Sequence, residues 1–303
     1  MFIRTSLLMM TLLAVTSAHA QTTTTGGGSG SSPTLEAPVQ TPAAQPTATS
    51  TAGANAISAP FKINAPTWGP YKLKVGLKST NTTGRLYDVD AERGTRYKQK
   101  HEYYIGAVHE SGWGGYAQGV ASGTITGVNN TLTSGDASVT VLHPDLYKGT
   151  ALTLSGQFRR YFAVSERSIN LAQKQWAYYL YATYKLPAQL SIWNQATPRY
   201  FEQPSYSATN TTTYFEDITT LTKSLSSKWA AGVGQWTQVE NHSVTNTGVS
   251  VDAQIFARFT PIANIWIEPR LITPLYIKNA VFDQARNVSI SGARAELYAQ
   301  MTL

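Results

Sequence analysis

One tripeptide in the chain, His109-Glu110-Ser111, has the spacing of a nucleophile and its base. On extended backbone, residues two apart share a face, so the imidazole could take the serine proton. No asparagine is placed to orient His109, and the tripeptide lies between two alternating runs, where a polar turn is the simpler reading. No Asp-x-His occurs, and nothing in sequence pairs His242 with Asp217. Once a leading segment containing His19 is set aside, only His101, His109, His143 and His242 remain for general base catalysis or metal binding. The absence of cysteine excludes thiolate metal sites, thiol nucleophiles, disulfides and lipid attachment through a thiol. The expectation is a protein that is not an enzyme, with no catalytic residue, no metal and no cofactor.

Charges that recur at alternate positions carry more. Lys72, Lys74 and Lys78 interleave with Tyr71, Leu73, Val75 and Leu77. Arg159 and Lys185, Asp252 and Arg258, Glu268 and Arg270, and Arg294 and Glu296 sit in runs of the same kind. If the sheet holding them closes on itself, its last strand lies beside its first, and all of these acids and bases except Arg159 and Lys185 share one wall. Rows of charge around a lumen set the field that an ion crosses. The same groups could instead pair and fill the interior of a small barrel. The formal net charge is +7 and is not gathered into blocks. Exported proteins rarely bind nucleic acid, so no such partner is expected.

The first sixty residues are not part of that fold. Arg4, the apolar run Leu7 to Val15 and Ala18-His19-Ala20 read as a signal peptide over 1–20. Residues 21–60 are almost entirely Thr, Gly, Ser, Pro, Ala and Gln with Glu36 as the only charge, too poor in apolar side chains to offset the entropy of ordering. They read as a disordered tether. Residues 61–303 form the functional domain, with all seven Trp and all seventeen Tyr and no apolar run long enough for a membrane helix.

The period of this domain is two. In 249–260, Val249, Val251, Ala253, Ile255, Ala257 and Phe259 alternate with Ser250, Asp252, Gln254, Phe256, Arg258 and Thr260. The last segment repeats the pattern, with Ala293, Ala295, Leu297, Ala299, Met301 and Leu303 against Arg294, Glu296, Tyr298, Gln300 and Thr302. Parity is unassigned over 114–122 and 212–222. The spacing predicts twelve strands at about 70–79, 99–108, 113–122, 136–143, 150–163, 173–186, 188–197, 211–222, 228–240, 248–260, 263–277 and 287–303. Their length exceeds that of ordinary globular strands, of about 5–6 residues, and suits a tilted membrane strand of about 9–11. Aromatics such as Trp176, Tyr184, Trp229, Phe259 and Tyr276 lie near strand ends. Short links alternate with long ones, the long being 80–98, 123–135, 164–172, 198–210, 241–247 and 278–286. An even count of strands leaves both chain termini on the short-turn side.

On these features 70–303 resembles the Gram-negative outer-membrane β-barrels, small porins of about twelve strands most of all. Gly292 to Leu303 is similar to their terminal strand read by the barrel assembly machinery, although it ends in Leu303 rather than Phe or Trp. The resemblance implies an all-β, transmembrane, up-and-down antiparallel barrel in the cell outer membrane, with the tether in the periplasm. It implies a channel for passive diffusion of small polar or anionic solutes. The lumen-facing candidates are the lysines, arginines and acids named above. A structural or surface-interaction barrel with a plugged lumen is the alternative. An outer-membrane phospholipase, whose His-x-Ser lies near the outer leaflet rather than in a short turn, or a protease is a more distant one. Implied partners are outer-membrane lipid and lipopolysaccharide, the assembly machinery and small solutes. The class also admits homo-oligomers.

Overall fold

The computed structural model describes residues 64–83, 97–125, 130–170, 173–202, 211–242, 247–278, 285–287 and 293–303. The signal and tether read over 1–60 lie outside the described residues. Long strands follow one another as β1 (Tyr71–Thr83), β2 (Tyr97–His109), β3 (Gly114–Ile125), β4 (Ala137–Lys148), β5 (Leu152–Phe162) and β6 (Lys174–Leu186). The series continues with β7 (Leu190–Glu202), β8 (Thr211–Ser224), β9 (Trp229–His242), β10 (Thr247–Ile262), β11 (Ile265–Lys278) and β12 (Arg294–Thr302). Three short pieces, Thr67–Trp68, Asn130–Ser134 and Ala285–Asn287, pair antiparallel with the ends of β1, β3 and β11.

Each long strand pairs antiparallel with its neighbours in sequence. β12 then pairs with β1, from Glu296 opposite Thr82 to Thr302 opposite Gly76. Beyond it, the Leu303 amide donates to the Val75 carbonyl at 2.8 Å. The result is a closed twelve-stranded barrel with no free edge.

The side chains are distributed the reverse of a soluble sandwich. Large apolar groups point out and are exposed, including Ile255 at 55%, Leu180 at 55% and Val233 at 52%. Charged groups point in and are buried, including Lys78, Arg159 and Glu268 at 1% each. That inversion is stable only where hydrocarbon replaces water around the wall. Aromatics edge the apolar band at the short-turn end. There Trp229 stacks on Phe259 at 4.7 Å and Trp113 meets His143 edge-on at 5.0 Å.

Prolines mark two breaks in the ladder. Pro144 lies within the irregularity between His143 and Tyr147, and Pro274 borders the one opposite Val251 and Asp252. Neither proline has an N–H to donate to the ladder at these points. Several strands run longer than their sequence pattern suggests, while β5 and β12 are shorter than the expected 150–163 and 287–303. β9 and β10 reach His242 and Thr247, so the expected long link 241–247 shrinks to 243–246, as short as 225–228 at the other end. On the long-link side, a single turn of helix, α1 (Glu166–Asn170), is pinned by Asp136. That carboxylate accepts the Ser165 amide at 2.9 Å and the Ser168 hydroxyl at 2.5 Å.

The tight link 187–189 holds the two non-glycine residues with left-handed backbone among the described residues, Ala188 (φ 59°) and Gln189 (φ 62°). Lys223 donates to the Ala188 carbonyl and the Ser224 amide to that of Gln189, which holds the turn in place. A side chain there costs about 1–2 kcal/mol that glycine avoids. Gln189→Gly should therefore raise the urea midpoint of the lipid-refolded barrel, by about 1 kcal/mol in stability. A lysine at outward Ala253 should lower stability by about 2–4 kcal/mol or block assembly. A lysine at inward, half-buried Ser250 should assemble normally. Equal behaviour of the two in a heat-modifiability gel would contradict the facing of β10.

Candidate functional site

The inner face is built by the even positions of β1 to β4 and of β8 to β10, and by the odd positions of β5 to β7. On β11 it falls to Trp266, Glu268, Arg270 and Ile272, and on β12 to Arg294, Glu296, Tyr298 and Gln300. It divides into three groups of polar side chains with aromatic packing between them.

The first group spans β10, β11 and β12. Arg258 Nε donates to Glu268 Oε2 at 2.6 Å, Arg270 Nε to Glu268 Oε1 at 2.6 Å, and Arg270 Nη1 to Glu296 Oε1 at 3.0 Å. The Thr82 hydroxyl of β1 donates to the other Glu296 oxygen at 3.3 Å. Charges alternate along this ladder, so each has an opposite neighbour. Arg258 and Arg270 also stack over Trp266 and Tyr298, at 4.0 and 4.6 Å. Arg294 Nη2 donates separately to Asp252 at 2.9 Å.

The second group spans β1, β2 and β3. Lys78 and Lys100 flank Glu102 at 3.4 and 3.3 Å, and Gln118 donates to the same carboxylate at 2.9 Å. Lys74 lies over the rings of Tyr104 and Tyr116 at 6.0 and 5.2 Å. Tyr104 reaches across the lumen side of Gly76, where a Cβ would stand 2.0 Å from its ring carbon. Only glycine admits the ring, and the Tyr104 hydroxyl then meets Thr302 on β12 at 2.5 Å.

The third group centres on Arg159 of β5. Its guanidinium donates to Thr140 at 3.0 Å, Tyr116 at 2.9 Å, Tyr161 at 3.2 Å and Tyr179 at 3.3 Å. Beside it, Arg199 lies over the Tyr179 and Tyr214 rings at 5.8 and 5.3 Å. Glu216 accepts from Gln195 at 2.9 Å and Tyr214 at 3.3 Å. Tyr179, Tyr181, Trp193, Ile218 and Trp236 pack the space between these groups and the β10 wall.

The structure thus places Lys78, Arg159, Asp252, Arg258, Glu268, Arg270, Arg294 and Glu296 within hydrogen-bonded or ion-paired clusters, and Lys74 over two rings. Lys72 and Lys185 stand apart, exposed at the short-turn end of β1 and β6. Sequence reasoning missed Lys100, Glu102, Arg199 and Glu216. Lys98, Lys100, Glu102 and Tyr104 alternate in sequence and could have revealed the β2 residues. Glu216 was hidden because Asp217 beside it is also acidic, which blurs the parity of β8.

His109 and Ser111 do come together. The Ser111 hydroxyl lies 2.8 Å from His109 Nδ1, but the Ser111 amide donates to that same nitrogen at 3.1 Å. This is the geometry of a self-bonded polar turn on the short-turn side. Among the described residues no carboxylate or amide side chain touches the His109 ring.

A solved outer membrane channel from Pseudomonas putida F1 is similar to the barrel, with a TM-score of 0.54 and 7% identity over 76% of this chain and 95% of that one. The KdgM and NanC porins are similar at TM-scores of 0.44 and 0.45, with 7% and 8% identity, over 76% of this chain and 99% and 98% of theirs. No protein-family model and no curated protein matches the chain. At such identities the likeness is one of fold: this is the closed antiparallel barrel of small outer-membrane channels.

Glu268 is the carboxylate shared by Arg258 and Arg270, so removing it breaks the ladder and leaves Arg270 with Glu296 as its acid. Glu268→Ala should destabilise the barrel by about 3–5 kcal/mol, read as a fall in urea midpoint. Glu110→Ala, on the exposed turn, should change it by less than about 0.5 kcal/mol.

Proposed function

We propose that the protein is an outer-membrane channel for passive diffusion of small polar solutes, with a preference for anions. The observation that carries this reading is an inner face of charged and hydrogen-bonding groups within a closed, outwardly apolar barrel. In the β10–β12 ladder, Arg258 and Arg270 are matched by Glu268 and Glu296, and Arg294 by Asp252. Around β1 the bases outnumber the acids, with Lys72, Lys74, Lys78 and Lys100 against Glu102. The lysine row therefore contributes a net positive field at the short-turn side of the lumen. The barrel sits in the outer membrane against lipid and lipopolysaccharide, is inserted through β12 by the assembly machinery, and trails its tether into the periplasm.

A second reading is favoured by one specific observation. Lys78 and Arg159 are 1% exposed and Tyr298 0%, as expected if side chains fill the barrel at mid-height. A filled barrel would act through its links and conduct nothing. Planar-bilayer recording separates the two: stepwise conductance supports the channel, and silence from folded, heat-modifiable protein supports the filled barrel.

If the barrel conducts, Lys72→Gln with Lys74→Gln should move the reversal potential in a salt gradient toward cations. The shift should shrink as salt rises and the Debye length falls from about 10 Å to about 3 Å. A reversal potential that stays fixed in the conducting double variant would remove the lysine row from the ion path.

A further inference from the structure

The outer wall is apolar nearly all the way round, with one exception at mid-height. On β7, β8 and β9 the outward positions are Asn194, Asp217, Thr219, Gln235 and Thr237, a contiguous polar patch. Thr219 faces Asn194 and Gln235 directly, and Asp217 faces Thr237. Asn194 Nδ2 donates to Asp217 Oδ2 at 2.9 Å and to the Thr219 hydroxyl at 2.8 Å. The Thr219 hydroxyl reaches Asp217 Oδ1 at 3.3 Å. Gln235 donates one amide hydrogen to Thr237 at 2.8 Å and is itself exposed. On the flanking walls the same height carries Leu180 and Ala182 on β6, and Ala253 and Ile255 on β10.

An ionisable group at membrane depth nearly always faces protein or a water-filled cavity, because hydrocarbon offers it no hydrogen bonds. Asp217 sits midway along β8, only 8% exposed between its neighbours, with acceptor capacity left at that opening beyond its two bonds from Asn194 and Thr219. The patch also holds the matching donor, since the exposed Gln235 amide has a second N–H. Donor and acceptor lie on adjacent strands of one face, so the patch is complementary to itself about a two-fold axis. Acyl chains satisfy neither the free Gln235 N–H nor the remaining acceptor position of Asp217. A second copy of this chain satisfies both, with Gln235 of each copy toward Asp217 of the other, in the isologous form usual for dimers. Ala196, directly opposite Asp217, is small enough to let two walls approach closely there. We infer that the β7–β9 wall is a homodimer interface within the membrane, with Asp217 and Gln235 at its centre.

The chain has no cysteine, so one introduced thiol gives an unambiguous cross-link. Val233 is outward, 52% exposed and next to Gln235 on the same face. In the full-length protein in native outer membranes, Val233→Cys should yield a cross-linked dimer with a short bismaleimide. Leu180→Cys and Leu297→Cys, outward on β6 and β12, should not. Adding Gln235→Leu to Val233→Cys, or Asp217→Leu with Gln235→Leu, should lower the dimer fraction at least tenfold while the barrel remains heat-modifiable. The single change keeps the test open should the double variant fail to assemble. Dimer from Val233→Cys no greater than from the two controls would overturn the proposal. So would an undiminished dimer in the leucine variants, or a cross-link to a chain of different mass.

Discussion

A strand inside hydrocarbon has no water to satisfy its backbone, so every N–H and C=O must find a partner in the protein. In this chain that requirement comes to rest on the seam between β12 and β1, where residues more than two hundred positions apart must pair in one register. Thr302 opposite Gly76 and Leu303 against Val75 complete the ring. With the seam closed, successive residues must point alternately to lipid and to lumen, since a one-residue slip would exchange the two faces of a strand. The outward lysine that such a slip would create is costly in lipid, and the inward leucine would displace a charged partner. Closure and facing therefore enforce each other, and the interior inherits whatever polar groups the wall excludes.

The interior handles that burden by order rather than by neutrality alone. Burying ions costs several kcal/mol each unless the geometry is good and the remaining hydrogen-bonding positions are filled. Along β10, β11 and β12 the sequence of contacts runs arginine, glutamate, arginine, glutamate, then a threonine hydroxyl on β1. Each carboxylate thus has a partner on both of its oxygens. Arg159 is treated differently, since its four hydrogen bonds go to hydroxyls, and its charge is met by the faces of Tyr116, Tyr161 and Tyr179. Glycines make room for this packing. Gly232 stands opposite Phe256, where a Cβ would lie 2.4 Å from the ring, much as Gly76 admits Tyr104.

How much of this could be read beforehand follows from which forces act locally. The facing of β10 and β12 was legible because lipid acts on every second residue independently, so the alternation survives in the sequence. The charged residues of β1, β10, β11 and β12 were legible for the same reason. β8 was not, because Glu216 inward and Asp217 outward are both acids, and the lipid-facing rule that decides parity is suspended at Asp217 by Asn194 and Thr219. The partners of each charge were not legible at all. Pairing Arg270 with both Glu268 and Glu296 depends on register across two strands, and the Arg159 cluster draws tyrosines from β3, β5 and β6. Several strand ends were underestimated because backbone pairing continues past the apolar band into polar segments, as at His242 and Thr247.

The same distinction between paired and solvent-facing charge locates the electrostatic bias of the lumen. Arg258, Arg270 and Arg294 contact acids, so their fields largely cancel at the distance of a passing ion. Lys72 and Lys185 stand exposed at the short-turn mouth, on β1 and β6, and Lys74 and Lys78 continue the β1 row inward. A charge at the mouth is screened by salt more strongly than one in a dry constriction. It raises the local concentration of counter-ions at the entrance without binding them deep in the barrel. In a conducting barrel, selectivity from such an arrangement would be a mouth property, sensitive to ionic strength. The mid-height network of Arg159, Glu102 and the β11 ladder would set how wide the path is rather than which sign of charge prefers it.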